Sequence, residues 1–303
     1  MFSKILVPLD GSKLAERALA PAFTLGQHTE SEMILARVLV AEKILVPDMY
    51  LYGGYGVQWP DQALEEARAE ATEYLQNIQA ARGKSRLVIT TQVLEGDVAD
   101  AIVTLAVKDK VDLIVMSSHG YSGLPRWMLG SVAERVLSIA PCPVLVIRST
   151  ATLSSVLVAL DGSELSERAL APALEVARGF NSQVTLLRAV PEVTPRDAQT
   201  LDEIERGLGM RLQEEIHEDA AAYLNRLAAA ARDTGLDVST IVLHDSAATG
   251  ILNHIDNHPV DMIAMSTHGR SGLQHWIYGS ITEKVLRNTT RSMLVVRPGK
   301  LPA

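Results

Sequence analysis

The chain has 303 residues, 47% hydrophobic and 21% charged, the balance of a globular protein with room for two domain cores. Its net charge is −8, from 28 Lys and Arg against 36 Asp and Glu, which argues against the broad basic face that nonspecific nucleic-acid or anionic-membrane binding requires. The one cysteine, Cys142, allows no internal disulfide and fits a reducing, cytoplasmic setting; within Pro-Cys-Pro-Val-Leu-Val it reads as a small buried hydrophobe. The opening apolar run is too short for a secretion signal, and no run nears the ~20 residues of a membrane span.

In chain order, Ile5–Leu9 is almost fully apolar, the pattern of a strand buried on both faces of a parallel sheet. Asp-Gly-Ser follows, and Ser12 is placed to cap a helix whose Leu14, Ala18, Ala22 and Leu25 share one face. Pro21 falls inside that pattern and predicts a bend or break. Met33–Leu39 predicts a second strand. After a Tyr- and Gly-rich segment, 40–60, a helix is expected from Asp61 to near Gly83. Arg86–Leu94 predicts a third strand, Val98–Lys108 a helix with Ala99, Ile102, Leu105 and Ala106 inward, and Val111–Met116 a fourth strand. Ser131–Ile139 reads as helix and Val144–Ile147 as a fifth strand.

The second half runs in the same order. Strands are expected at Leu157–Leu160, Val184–Val190, Val238–Leu243, Met262–Met265 and Met293–Val296, with a helix at Arg211–Arg232. Pro172 repeats Pro21. The charged stretch 197–209 reads as a loop, a lid or a partner surface. The boundaries that follow are domains at 1–148 and 156–303, with a small, polar linker at 149–155. Alternating strands and helices predict an α/β fold: two tandem open five-stranded parallel sheets, Rossmann-like, each in the order 3-2-1-4-5.

The two halves repeat in detail. Lys-Ile-Leu-Val-Pro-Leu-Asp-Gly-Ser at 4–12 returns as Ser-Val-Leu-Val-Ala-Leu-Asp-Gly-Ser at 155–163, and Ser-Ser-His-Gly with Gly-Ser at 130–131 returns as Ser-Thr-His-Gly with Gly-Ser at 279–280. Asp10 and Asp161 lie 151 positions apart, whereas Gly130 and Gly279 lie 149 apart, so the only length change falls between 38 and 74, as befits a surface loop. Each half therefore places an acidic residue past its first strand and a glycine-bearing loop past its fourth, on either side of the switch point where open α/β sheets bind ligands.

Two readings stand at each position. The Gly130-Ser131 start of a helix offers free N–H groups and a partial positive charge to a phosphate, or Gly130 only turns the chain and Ser131 only caps it. Asp10 either accepts hydrogen bonds from ribose hydroxyls or serves as a turn residue. Recurrence of both features in both halves favours the ligand. His119 and His268 read as loop-holding residues, and Trp127 and Trp276 as hydrophobic anchors. His244, His254 and His258 lack the spacing of a zinc site, and no P-loop motif is present.

These residues resemble the universal stress protein family in its tandem form, over nearly the whole chain. The motifs are Pro8-Leu-Asp10, Ser117-x2-Gly120-x9-Gly130-Ser131, and Gly-Ser-Val-Ala-Glu-Arg-Val-Leu followed by Ala-Pro-Cys-Pro-Val-Leu-Val. The resemblance implies an adenine nucleotide alpha hydrolase-like fold and an ATP, ADP or AMP site, with Mg²⁺ or Mn²⁺ accompanying the nucleotide. By it, Asp10 holds the ribose, Pro8 lines the nucleoside pocket and the Val38 backbone meets adenine. Met116, Ser117, Gly120, Gly130, Ser131 and Val132 surround the phosphates and nearby ribose. The second-half positions are Asp161, Ala189, Met265, Ser266, Gly269, Gly279, Ser280 and Ile281. The family's fifth strands make dimer contacts, which implies an internal pseudo-dimer and a homo-oligomer.

The departures are specific. Serine replaces the first motif glycine at both Ser117 and Ser266, which is costly if that position requires positive φ, whereas serine serves and adds a hydroxyl if only a backbone N–H is needed. In the second half Ala159 replaces Pro8, Ala189 replaces Val38 and Asp245 replaces Gly96; a carboxylate there opposes an anion if it points into the crevice. The first domain is therefore expected to bind nucleotide at least as tightly as the second. The functional expectation is an ATP-binding stress-response regulator, with a slow ATPase or phosphotransfer enzyme and a nucleotide-free interaction module as the alternatives.

Overall fold

The computed structural model describes residues 2–40, 61–82, 87–118, 129–148, 152–267 and 279–297. It divides into two compact units, Met1–Ile147 and Arg148–Ala303. The first contains β1 (Lys4–Pro8), α1 (Leu19–Thr29), β2 (Glu32–Leu39), α2 (Asp61–Ala81), β3 (Ile89–Glu95), α3 (Val98–Lys108), β4 (Leu113–Ser117), α4 (Ser131–Ile139) and β5 (Val144–Ile147). Its strands lie in the order β3-β2-β1-β4-β5, every neighbouring pair parallel.

The second unit contains β6 (Ser155–Leu160), α5 (Glu164–Glu167), α6 (Leu170–Phe180), β7 (Gln183–Val190), α7 (Pro195–Ile204) and α8 (Leu208–Arg232). It continues with β8 (Val238–His244), α9 (Ala247–Asn257), β9 (Met262–Ser266), α10 (Ser280–Asn288) and β10 (Ser292–Val296). Its order is β8-β7-β6-β9-β10, again parallel. The fold class is thus α/β, with helices flanking mostly parallel sheets.

The central strands are apolar because both of their faces are covered. Ile5, Leu6 and Val7 on β1 and Leu113, Ile114 and Val115 on β4 are fully buried, as are Val156, Leu157 and Val158 on β6. An aspartate just before the fourth strand of each unit fixes where the first strand begins. Asp112 Oδ2 accepts the N–H groups of Ser3 and Lys4 at 2.9 and 3.0 Å, and Asp261 Oδ2 accepts those of Ser154 and Ser155 at the same distances. Cys142 is buried, and burial pushes its thiol up to about 12.

The break expected near Pro21 is present, since the helical pattern is two pieces, a 3-10 turn at Ala15–Ala18 and then α1; two other local expectations are corrected. Pro21 is the third residue of α1, inside the first turn, where an N–H has no intrahelical acceptor and its loss is harmless. Pro172 holds the same place in α6 after the single turn of α5. Much of the stretch 197–209, read as a loop, lies in α7 and α8. Thr194 opens α7 by accepting the Asp197 N–H at 3.2 Å, with Pro195 at the first helical position. Finally, Ser155, expected as the last linker residue, is the first of β6. Arg148 begins the second unit with its guanidinium buried: it donates to the carbonyls of Leu286, at 2.8 Å, and Thr289 at the end of α10. Burial lowers it to about 10, and the helix C-terminus is a favourable place for a cation.

Candidate functional site

β1 and β4 are parallel neighbours, so their carboxyl ends lie side by side while β2 and β5 lead away in opposite directions. That is the geometry of a switch-point crevice. A cavity of about 310 Å³ lies there in the first unit. Pro8, Asp10, Val38, Met116 and Ser117 line it from the strand ends, and Gly130, Ser131 and Val132 from the start of α4. The second unit has a cavity of about 580 Å³ at the equivalent place. Asp161, Ala189, Met265 and Ser266 line it from the strands, and Gly279, Ser280 and Ile281 from α10. Gly120, Gly269, the histidines 119 and 268 and the tryptophans 127 and 276 lie outside the described residues.

The two readings of Asp10 merge in the structure. Its Oδ1 accepts the Ser12 N–H at 2.9 Å, and Ser12 Oγ accepts the Ala15 N–H at 3.1 Å. Asp161 and Ser163 repeat both bonds at the same distances, and the Ser163 hydroxyl also donates to Asp161 Oδ1 at 2.6 Å. The turn therefore holds each carboxylate at its cavity wall. It needs glycine in its middle: Gly11 and Gly162 have φ of 86° and 85°. At Gly162 a Cβ would also lie 3.0 Å from the Arg188 Cζ.

Across each crevice the chain returns to the helix. The Gly130 N–H donates to the Ser118 carbonyl at 2.9 Å, and Gly279 donates likewise to Thr267. Among the described residues no side chain caps α4 or α10, so each helix presents an electropositive end to the cavity. A carboxylate faces a helix start across a crevice, twice in one chain.

The comparisons with known proteins agree with that duplication. The family model described as the universal stress protein family matches residues 1–148 and again 153–297. The chain belongs to the universal stress protein family. A universal stress protein of Methanocaldococcus jannaschii is 34% identical over 149 residues, 49% of this chain and 83% of the relative. One from Mycobacterium bovis is 25% identical over 309 residues and spans both units, covering 97% of this chain and 96% of the relative. The solved universal stress protein of Archaeoglobus fulgidus, at 22% identity, shares the fold with a TM-score of 0.68, covering 99% of this chain and all of that one.

Within this universal stress protein the serines at the first motif position are unstrained. Neither Ser117 nor Ser266 has positive φ, so no glycine is required there. Ser266 is 7% exposed, and among the described residues its hydroxyl has no hydrogen-bond partner although it sits on the cavity wall. Its carbonyl accepts the Thr282 hydroxyl at 2.7 Å, tying β9 to the first turn of α10. Asp245 does not line the cavity; its Oδ1 accepts the Ser246 N–H at 2.6 Å, at the start of α9, so the expected opposition to an anion does not arise there.

Sequence reading missed three residues that line the second cavity. Arg188 on β7 and Ile216 and Asp219 on α8 all line it. The Arg188 guanidinium lies 5.1 Å from the Tyr223 ring centroid, and Arg37 lies 5.2 Å from Tyr74. The Tyr74 hydroxyl donates to Glu16 Oε1 at 3.0 Å; burial first, then Glu16, pushes the phenol up. Tyr223 is raised to about 12 by burial and then by Glu167. Recurrence of Arg, Tyr and Glu at matching positions was the available signal.

The histidines sit elsewhere. His217 Nδ1 and His244 Nε2 are 2.9 Å apart, and His254 stacks on His258. Among the described residues no group of three or more His, Cys, Asp or Glu is arranged to hold a metal ion. No helix among them is long and apolar enough to cross a membrane.

Proposed function

We propose that each unit binds an adenine nucleotide, and that the protein is an ATP-binding regulator of the stress response. One observation carries this reading: the buried Ser266 hydroxyl, partnerless among the described residues, on a cavity wall that also contains the start of α10, which none of those residues' side chains caps. A buried hydroxyl without a partner is costly, and a phosphate oxygen at a helix N-terminus satisfies it. Asp161 on the same wall suits the ribose hydroxyls, and Asp10 plays that part in the first unit. The apolar remainder, Ile102 and Val98 in one cavity and Ile251 and Ala247 in the other, suits the base.

The volumes fit within the ~300–1,000 Å³ range of small-molecule sites. Where the nucleotide brings Mg²⁺ or Mn²⁺, its phosphates would hold the ion, and Ser131 or Ser280 on the cavity wall would add a hydroxyl. Regulation follows from linkage: a nucleotide that binds one conformation better shifts the population toward it and so changes what the surface offers a partner. The test is the protein purified without added ligand, then denatured, with the released small molecules identified by mass and counted per chain. Adenine nucleotide at one to two per chain is the expected result. Empty protein that also shows no heat of binding with millimolar ATP sinks the reading.

A further inference from the structure

The two cavities share most of their walls position for position, but the second has a lobe that the first lacks. Besides Val190, the surplus residues are Arg188, Ile216 and Asp219. Their counterparts, Arg37, Ala67 and Glu70, do not line the first cavity, where Arg37 and Glu70 instead pair with each other at 3.2 Å. Asp219 is one methylene shorter than Glu70 and makes no hydrogen bond or ion pair among the described residues. The second cavity is nearly twice the volume of the first, about 580 against 310 Å³.

The chemistry of this lobe repeats that of the shared part. Ile216 offers an aliphatic surface to the face of a base. Asp219 offers a carboxylate to vicinal hydroxyls and disfavours a further phosphate beside it. Arg188, whose guanidinium lies by the Tyr223 ring and Gly162, brings a positive charge to the wall that favours a bridging phosphate. An apolar wall, a carboxylate and an anion donor are the same three elements that Ile251, Asp161 and α10 supply in the shared part.

We propose that the second cavity takes an adenine dinucleotide, with one nucleoside in the shared part and the other in the Arg188–Ile216–Asp219 lobe, while the first takes a mononucleotide. The proposal rests on the nucleotide reading above. Calorimetric titration of the full chain carrying Asp10→Ala, which leaves the second site to report, compares ADP with diadenosine triphosphate. The dinucleotide binds at least about tenfold more tightly than ADP, and a further Asp219→Ala removes about that factor from the dinucleotide and less than about twofold from ADP. Asp219 is exposed on α8, so its loss leaves the fold intact. Equal affinity for the two ligands, or an equal loss for both with Asp219→Ala, overturns the proposal and leaves the nucleotide reading standing. Failure of both ligands to bind overturns the nucleotide reading for this unit as well.

Discussion

In the first unit Arg37 on β2 reaches Glu70 on α2, and the cavity beside them holds about 310 Å³. In the second, Arg188 and Asp219 occupy those positions on the wall of a cavity of about 580 Å³. Pro8 and Val38 of the first wall are both alanine in the second, at 159 and 189. Read as motif departures, those alanines look like decay of the second site. Read as volume, they widen it. The sheets are untouched because strand pairing uses main-chain groups, which are indifferent to these side chains, so a duplicated fold can change its ligand without changing its architecture.

The largest effect comes from the two carboxylates. Asp10→Ala and Asp161→Ala each lower ATP affinity at their own site by ~2 kcal/mol, the scale of a hydrogen bond to a charged group. The loss from Asp10→Ala is at least as large, because a snug wall suits a mononucleotide better than a wide one. Asn at the same positions keeps the acceptor for the Ser12 or Ser163 N–H and separates turn from ligand. Two-site titration decides this, and a larger loss from Asp161→Ala reverses the ranking.

Next is Ser266→Ala. The substitution removes a buried hydroxyl that has no partner among the described residues, so the ligand-free protein should melt at the same temperature or higher, while ATP affinity of the second site falls by ~1 kcal/mol. Melting curves with and without ATP supply both numbers. Destabilisation of the free protein without any loss of affinity means that the hydroxyl serves the fold and not a ligand.

The smallest effect is a difference in acid sensitivity. Burial first, and then neighbouring His258, lowers His254 below its ordinary value. The unfolded chain therefore takes up the proton more readily than the folded one. The stability of the second unit falls as the pH drops below the ordinary histidine value near ~6.5, and levels off once the pH is below the lowered folded value. The melting temperature is expected to drop from pH 7.5 to pH 5.5, by less in His254→Asn. Identical pH profiles for the two proteins remove His254 as the cause.

Much of this was legible in the sequence for identifiable reasons. Apolar runs such as Ile5–Leu9 mark strands because a sheet covered on both faces admits little else. The doubled Asp-Gly-Ser and Gly-Ser motifs marked the two ends of each crevice. Pro21 announced a break in the helical pattern, but only the fold reveals that the new helix starts two residues before it. Whether Asp245 points into the crevice was left open, because its local hydrogen bond at the start of α9 cannot be read from spacing.

The sequence by itself determined the duplication, the α/β class, the strand order and the residues at the strand ends, because repeats, periodicity and right-handed crossovers are properties of the chain. Tertiary structure alone decided which side chains share a wall. Arg188, Ile216 and Asp219 come from a strand and a helix separated by a further helix, and they meet only because α8 packs against β7. Contacts between distant segments depend on packing distances of a few ångströms, and no pattern along a single chain carries that information.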